Sequence, residues 1–511
     1  MAGERKWLLP SLGGLLLGLA YFPLPFLALN LTAFIPLLVW LDSHPNASSF
    51  QRLKAGLLFG VITELVMLHW MYSMLSWSWL ALLLYLGMSL AVGMRISIAV
   101  VLVGWLRNRT RLPWAAVLLI GWVPLEWAQS FGDTRMTGDL LAHSLTSYPF
   151  LLQFADIVGP YGVGAAMLLF NAWIYAAIVH RGKTRGRRAI VALAILTGAV
   201  LIYDAWAWNR PEPTGPSVRV GLLQPNISLE AKRGNDRIHE QWDTLVEQAV
   251  EAEQQGAELI VWPETSRPLP MHHWLDRPET RSMAEVEHLA RQLGVSMLVG
   301  LDYFRIRAED DYDLYNAAMA VDAEGRLLEP WMAKHYLVPF VEAVPFRGLL
   351  GPLVEGRGGQ WDWLAGSFQK GPRNVLFDVA GARLGVLVCY EEFFPDLASG
   401  LRNTGANLQV VITNDAWFGR TLFQIYMVNA LRLRAIENRT NYVRAANTGI
   451  SGFIDTHGRL HQRTDWFVPA VEVRDVALVG KPTIYNRIGD MVVWLGLAGL
   501  LVAIVLTVRR P

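Results

Sequence analysis

Six stretches of this chain, at roughly 55 to 75, 80 to 106, 113 to 130, 161 to 179, 189 to 208 and 490 to 508, are apolar for long enough to cross about 30 Å of hydrocarbon. Runs of that length belong in bilayer-spanning helices. The region from Trp7 to Leu41 is equally apolar, but "YFPLPF" places Pro23 and Pro25 in its middle. It therefore reads as two short helices joined by a turn. The expectation is an α-helical membrane bundle of eight transmembrane helices, seven within 1–209 and the last within 488–511. Composition agrees, with 53% hydrophobic and 17% charged residues against about 25% charged in an ordinary soluble protein. The 21 Trp suit a chain with bilayer interfaces. The N-terminal stretch shows no small-residue cleavage site followed by polar sequence, so it reads as an anchor rather than a signal peptide.

Charge orients the bundle, since cytoplasmic flanks collect Lys and Arg. With eight helices, Arg5 and Lys6, Arg52 and Lys54, "RNRTR" at 107–111, "HRGKTRGRR" at 180–188, and Arg509 and Arg510 all fall on one face. The other face receives "SWSW" and the 130–160 loop, in which Arg135 is outnumbered by Asp133, Asp139 and Asp156. Seven helices would split the basic loops between the faces. Both termini are thus expected in the cytoplasm, and the segment from about 216 to 487 outside it. The net charge of +1 gives no reason to expect a nucleic-acid partner. Within the spans lie Glu64, Arg95 and Glu126. Counted from the inner ends of their helices, Glu64 and Arg95 sit roughly 14 to 17 Å deep, and a pair between them is the expected way to carry both charges. Snorkelling, or a polar crevice without function, is the plainer account of each residue taken alone.

From Val218 the character changes. The apolar runs "VRVGLLQPNI", "ELIVWPE", "VSMLVGLDYF", "AAMAVDAEG", "RLGVLVCYE" and "LQVVITNDAWF" alternate with amphipathic stretches at 236–255 and 282–294. Runs bounded by Gly, Pro and Asn indicate buried strands, and a 3.6-residue period between them indicates covering helices. This is a separate α/β domain, entered through the linker "EPTGPS" at 212–217. Its sequence shows no phosphate-binding glycine loop and no His/Asp/Glu spacing suited to a metal, so neither cofactor nor metal is expected. His272, His273 and His335 read as surface histidines.

Three residues stand where strands end. Cys389, the one cysteine in the chain, follows "LGVLV"; Glu264 follows "IVW" in "IVWPETS"; Lys334 lies in "WMAKHYLVPFVE", with Glu342 eight residues on. Taken singly, each has a plain structural account: a buried small hydrophobe, a capping or solvated carboxylate, a snorkelling lysine. A lone thiol outside the cytoplasm invites oxidation unless it is used. Together the three meet the needs of acyl transfer. Glu264 can take and return the thiol proton, Lys334 can stabilise an oxyanion, and the backbone N–H of Tyr390 is a natural second donor.

At these residues the chain resembles the nitrilase (carbon–nitrogen hydrolase) superfamily over roughly 218 to 475. "WPE", "AKHYLVPFVE" and "VCYEEFFPD" occur in that family's chain order. The resemblance implies an α-β-β-α sandwich carrying a Glu–Lys–Cys triad of Glu264, Lys334 and Cys389. It further implies that Glu342, Tyr390 and Glu391 are active-site positions and that Asn316 and Trp417 line the pocket, although a turn former and an interfacial anchor are the plain alternatives for the last two. "VNALRLRAIENRTNYVRAANTG" at 428–449 is similar to the helix and strand that follow the nucleophile strand in that family.

An eight-helix bundle with this domain before its last helix looks like the superfamily's membrane-embedded, lipoprotein N-acylating branch. That resemblance implies a bacterial inner-membrane protein with a periplasmic catalytic domain. The implied acyl donor is a phospholipid, typically phosphatidylethanolamine, giving up its sn-1 chain. The implied acceptor is the α-amino group of a diacylglyceryl-modified apolipoprotein cysteine. A thioester on Cys389 links the two half-reactions, and the apolar segment "VPFRGLLGPLVEG" at 344–356 is a candidate border of a lipid entrance. A membrane-tethered amidase acting on a soluble amide shares the triad but has no need of eight spans. A transporter with an external binding module has no need of the triad.

Overall fold

The computed structural model describes residues 6–23, 26–76, 78–230, 237–309, 311–354 and 368–508. Arg5, Pro25, Arg509 and Arg510, together with parts of the 228–236 and 344–356 segments, lie outside the described residues. The chain forms two compact units: Met1–Arg210 with Thr421–Asn429 and Arg487–Pro511, and Pro211–Arg420 with Ala430–Asn486.

The first unit is helical. Ser49–Ser76, Leu80–Arg109, Ala155–Val179 and Thr184–Trp208 are long and apolar enough to cross a membrane, and Leu8–Ala20, Leu27–Ser43, Trp114–Ala128 and Met491–Thr507 are shorter apolar helices. The break after Ala20 falls just before Pro23, as the prolines require. Ser48 opens the next helix with a capping box, its side chain accepting from Gln51 N–H at 3.2 Å while Gln51 Oε1 accepts from Ser48 N–H at 2.9 Å. Helices 49–67 and 80–109 touch through glycines. A Cβ on Gly60 would stand 2.8 Å from Gly93 Cα, so only hydrogen fits there. Buried Asn171 satisfies the helix break near residue 33, donating to Asn30 O at 2.8 Å and accepting from Phe34 N–H at 3.0 Å.

That close approach places Glu64 and Arg95 in the same region, yet the ion pair is different from the one expected. Arg95 pairs with Asp139 at 3.7 Å, not with Glu64. Asp139 comes from the 130–160 loop, where Gln129 Nε2 donates to it at 3.2 Å and a guanidinium can reach it with less of its hydration lost.

Among the described residues, the second unit contains thirteen strands: β1 (Ser217–Gln224), β2 (Leu259–Val261), β3 (Met271–Trp274), β4 (Ser296–Ala308), β5 (Asp311–Val321), β6 (Met332–Ala333), β7 (Leu376–Val379), β8 (Ala382–Val388), β9 (Leu408–Thr413), β10 (Tyr442–Ala446), β11 (Gly452–Ile454), β12 (Leu460–His461) and β13 (Ala470–Ala477). One sheet runs β13-β1-β2-β4-β5-β6, with β3 also on β4; the other runs β12-β11-β10-β9-β8-β7. β1, β2 and β4 are parallel to one another, as are β8, β9 and β10. Val218, Val220 and Leu222 from the first sheet meet Val386, Val388, Val410 and Ile412 from the second in one buried core. Each such side chain contributes about 1.5–3 kcal/mol through burial. Leu245, Ala249, Val286 and Leu289 of the helices Ile238–Gln254 and Ala284–Leu293 cover the outer face of the first sheet. Helix Pro395–Thr404 packs on β8, where Gly385 admits Leu401. The result is an α-β-β-α sandwich. The C-terminal ends of β2 and β8 lead into the loops that carry Glu264 and Cys389.

Candidate active site

β8 ends at Val388, and the chain turns at once into the short helix Cys389–Phe393. Cys389 has φ +53°, a left-handed conformation that a residue with a side chain enters only at a cost. Glu391 holds this turn. Its Oε1 accepts from the backbone N–H of His335 at 2.7 Å and of Tyr336 at 3.0 Å, and its Oε2 accepts from Val388 N–H at 2.8 Å. One carboxylate therefore ties the thiol's turn to the segment that bears Lys334.

Glu264 leaves β2 in a loop clamped to β4 by Ser266 N–H and Arg267 N–H, which both donate to Gly300 O at 3.0 and 3.2 Å. A Cβ on Gly300 would lie 2.3 Å from Pro263 O and 2.8 Å from Glu264 Cα, so the absence of a side chain lets the loop sit there. Glu264 Oε1 accepts from Asn316 Nδ2 and Oε2 from Asn414 N–H, both at 2.7 Å. Lys334 is 1% exposed and its backbone N–H donates to Asn316 O at 2.8 Å. Its Nζ donates to Glu342 Oε1 at 2.9 Å and lies 3.7 Å from Glu264 Oε1. Glu342 also accepts from Asn316 Nδ2 at 3.3 Å and from Val338 N–H at 2.8 Å. Asn316 thus stands between the two carboxylates that share the lysine.

Burial works against the Lys334 charge, but Glu342, Cys389 and Glu264 outweigh it and hold the ammonium above its ordinary range. Burial, followed by Glu264, pushes the Cys389 thiol well up, with Lys334 pulling the other way. Cys389 at rest is consequently a protonated thiol, although Lys334 pulls it the other way. A thiol of this kind attacks only with a base to take its proton. Burial pushes Glu391 up to about 7 against the opposing pull of its backbone donors.

The sequence reading missed the layer beneath. Arg444 on β10, 1% exposed, bonds Glu392 with Nε at 3.1 Å and Nη2 at 3.2 Å, and Asp415 with Nη1 at 2.9 Å. Glu392 follows the thiol by three residues, and Asp415 accepts from Thr413 Oγ1 at 2.6 Å at the end of β9. This guanidinium fastens the turns after β8 and β9 to each other. The charges of "YEE", "ND" and "VRAAN" were the available signal, but nothing in their spacing links them.

Of the remaining expected residues, Tyr390 is half-buried with its ring against Phe393 and Phe394, and Trp417 is half-buried in the turn Asp415–Phe418. Within the 344–356 segment Arg347–Val354 is helical, and Phe346 before it and Leu349 on it are exposed. His335 and His273 are half-buried and bonded, to Gly371 O and Tyr303 Oη, both at 2.7 Å. Among the described residues, Glu212, Asp455 and His457 form one group with ligand-type atoms within 4.8 Å of one another. Sequence spacing could not show it, since the fold joins residues from the linker and from the β11–β12 turn. Arg459 lies 3.5 Å from Glu212 and 3.8 Å from Asp455, so the group already holds a cation of its own.

Residues 219–480 match the carbon–nitrogen hydrolase family, and residues 13–173 match the apolipoprotein N-acyltransferase N-terminal domain. The sandwich is that of the carbon–nitrogen hydrolases. A Geobacter metallireducens apolipoprotein N-acyltransferase is 30% identical, with 99% of this chain and 96% of that protein aligned. Its counterpart from Allorhizobium ampelinum is 32% identical over 90% and 88%, and that from Chlorobaculum tepidum 29% identical over 99% and 97%. The chain belongs to the apolipoprotein N-acyltransferase family, whose members are acyl-transfer enzymes. Among solved structures, an amidase from Nesterenkonia sp. is 19% identical, covering 54% of this chain and 95% of its own, with a TM-score of 0.36.

Proposed function

We propose that this enzyme moves the sn-1 acyl chain of a phospholipid to the α-amino group of a diacylglyceryl-modified apolipoprotein cysteine, through a thioester on Cys389. The observation that carries the reading is the lysine shared between two carboxylates beside a buried thiol: Lys334 Nζ 2.9 Å from Glu342 and 3.7 Å from Glu264. Cys389 Sγ attacks the ester carbonyl carbon while Glu264 takes the thiol proton, so no free thiolate has to persist in a buried site. Lys334 and the N–H of Tyr390 stabilise the oxyanion. Collapse breaks the ester C–O bond, and Glu264 returns its proton to the leaving oxygen, releasing lysophospholipid. The acceptor amine then attacks the thioester, Glu264 accepts its proton, an amide forms and the proton returns to sulfur. Glu342, Glu391 and Asn316 position these groups, and Trp417 borders the acyl pocket.

The same reading sets eight membrane-spanning helices, both termini in the cytoplasm and the 216–487 domain on the periplasmic face of the bacterial inner membrane. There both lipid-anchored substrates are within reach. No cofactor is required, since the donor ester already holds the acyl group.

Mass spectrometry of the intact protein purified with phospholipid provides the test. A fatty-acyl adduct that disappears with Cys389→Ala is expected, and Lys334→Ala should slow its formation by about a thousandfold, the scale of losing an oxyanion donor. An unsubstituted chain that carries no adduct yet releases ammonia from small amides would establish the amidase instead.

A further inference from the structure

Val388 on β8 faces Ile412 on β9 in parallel register, so the residues that follow, Cys389 and Thr413, stand side by side where the two strands end. Thr413 is fully buried, and its hydroxyl hydrogen-bonds the Cys389 thiol on one side and donates to Asp415 Oδ1 at 2.6 Å on the other. A hydroxyl has one proton and two lone pairs. With that proton on Asp415, at the length of a charge-assisted bond, only lone pairs face the sulfur, and the thiol S–H is the donor. Once the thiol proton has left, the demand reverses. The sulfur is then an anion with nothing to donate, and two negative acceptors compete for the one hydroxyl proton. Asp415 can release it, because Arg444 bonds both its oxygens, Oδ2 at 2.9 Å and Oδ1 at 3.4 Å. Burial first, then Glu264 beyond β2 and Asp415 beyond β9, oppose a negative charge on this sulfur; Lys334 beyond β6 and the Thr413 hydroxyl favour it.

We propose that Thr413 is a positioning residue for the nucleophile, its hydroxyl accepting from the Cys389 thiol at rest and turning to donate to the sulfur whenever negative charge develops there. The inference rests on Cys389 as the attacking and leaving atom of acyl transfer, and deepens that reading. Charge develops on sulfur twice. It does so first as Glu264 takes the thiol proton on the way to attack. It does so again when the C–S bond of the second tetrahedral intermediate breaks and leaves its electron pair on sulfur, until Glu264 returns the proton. Thr413 keeps its own O–H bond throughout; only the hydrogen bond moves, from Asp415 to sulfur and back. The buried layer of Arg444, Asp415 and Glu392 thereby gains a second task, since Arg444 keeps Asp415 satisfied while the hydroxyl is turned away.

Cys389 is the one cysteine in the chain, so its S–H stretch and its alkylation are read without interference from another thiol. Raman spectra of the full chain in detergent should place that stretch below the position of an unbonded thiol. Thr413→Val, which keeps the shape and removes the hydroxyl, should move it back up. Alkylation by iodoacetamide, followed by intact mass from neutral to alkaline pH, should run about tenfold slower at neutral pH in Thr413→Val, the scale of one hydrogen bond to a charged group, with its pH profile displaced to the alkaline side. Thr413→Ser, which restores the hydroxyl, should restore both readouts. An S–H band of the unsubstituted chain at the position of an unbonded thiol overturns the proposal whether or not any variant folds. So does Thr413→Val with an unmoved band, or with the parent's alkylation rate and profile. A slowdown without displacement of the profile, or one that Thr413→Ser shares, assigns the effect to packing and overturns it as well. Should Thr413→Val not fold, Thr413→Ala is read in its place. Both measurements are made without lipid. Failure of the unsubstituted chain to form a fatty-acyl adduct would therefore sink acyl transfer at Cys389 and leave the hydroxyl–sulfur bond standing, whereas an adduct together with an unmoved band and profile in Thr413→Val would sink this inference alone.

Discussion

In the catalytic unit Lys334 is shared by Glu264 and Glu342, and Arg444 by Glu392 and Asp415; in the membrane unit Arg95 goes to Asp139, while Glu64 and Glu126 each keep an oxygen that nothing meets. Among the described residues, both units bury more carboxylates than Lys and Arg cations. They differ in where the surplus finds donors. Loops after strands leave backbone N–H groups free, and the catalytic unit uses them: Asn414 N–H on Glu264, Val338 N–H on Glu342, and three on Glu391. Inside a transmembrane helix those donors are already committed to carbonyls one turn away. Glu126 finds one only at the start of a separate turn, at Leu141, and Glu64 has none for its Oε2. A surplus carboxylate in an α/β domain can be purely architectural, whereas one in a bundle requires a ligand, water or a proton.

If that contrast is right, cutting a satisfied network should hurt far more than trimming an unsatisfied one. The largest effect is expected for Arg444→Met, which leaves Glu392 and Asp415 facing each other, buried and without their cation. A loss of about 3–5 kcal/mol is expected. Denaturant unfolding of the detergent-solubilised protein measures it. A loss under about 1 kcal/mol would mean that the two carboxylates are held by their other contacts, and the contrast between the units would fail.

Glu391→Gln should come next, because an amide cannot accept from all three backbone N–H groups, and leaving one buried donor unmet costs about 1–3 kcal/mol. The cost should also change with pH. Burial raises the folded-state value of Glu391 from 4.5 to about 7, so between these limits the folded protein binds more protons than the unfolded chain. This contribution to stability is fully present below 4.5 and is lost as pH rises through about 7. Thermal melts of the parent across that window should fall with rising pH, and melts of Glu391→Gln should fall less steeply. Equal slopes would show that the three donors, rather than burial, govern this carboxylate.

These networks also mark where sequence stops being informative. Glu264 and Cys389 were legible because each follows an apolar strand run, and Lys334 because a lysine among Trp331, Tyr336 and Phe340 is conspicuous. The backbone donors were not, since they depend on loop geometry after the strand. Nor was Arg444, whose two partners lie 52 and 29 residues away. β6 and β12 have two residues each and leave no periodic trace, although the sheets need them at their edges. In the bundle, hydropathy marked the helices but could not say that a loop aspartate would take Arg95.

The smallest effect is expected for Glu64→Gln, and its sign is informative. A satisfied carboxylate loses stability when replaced by its amide, as at Glu391. Glu64 Oε2 has no hydrogen bond to lose, and substitution removes a charge that the bilayer disfavours, so in detergent without added lipid the melting temperature should stay within a few degrees of the parent or rise. A drop in the lipid-free melt comparable to that of Glu391→Gln would instead show that Glu64 is held by contacts as firm as those in the catalytic unit. The difference between the two units would then be one of position alone.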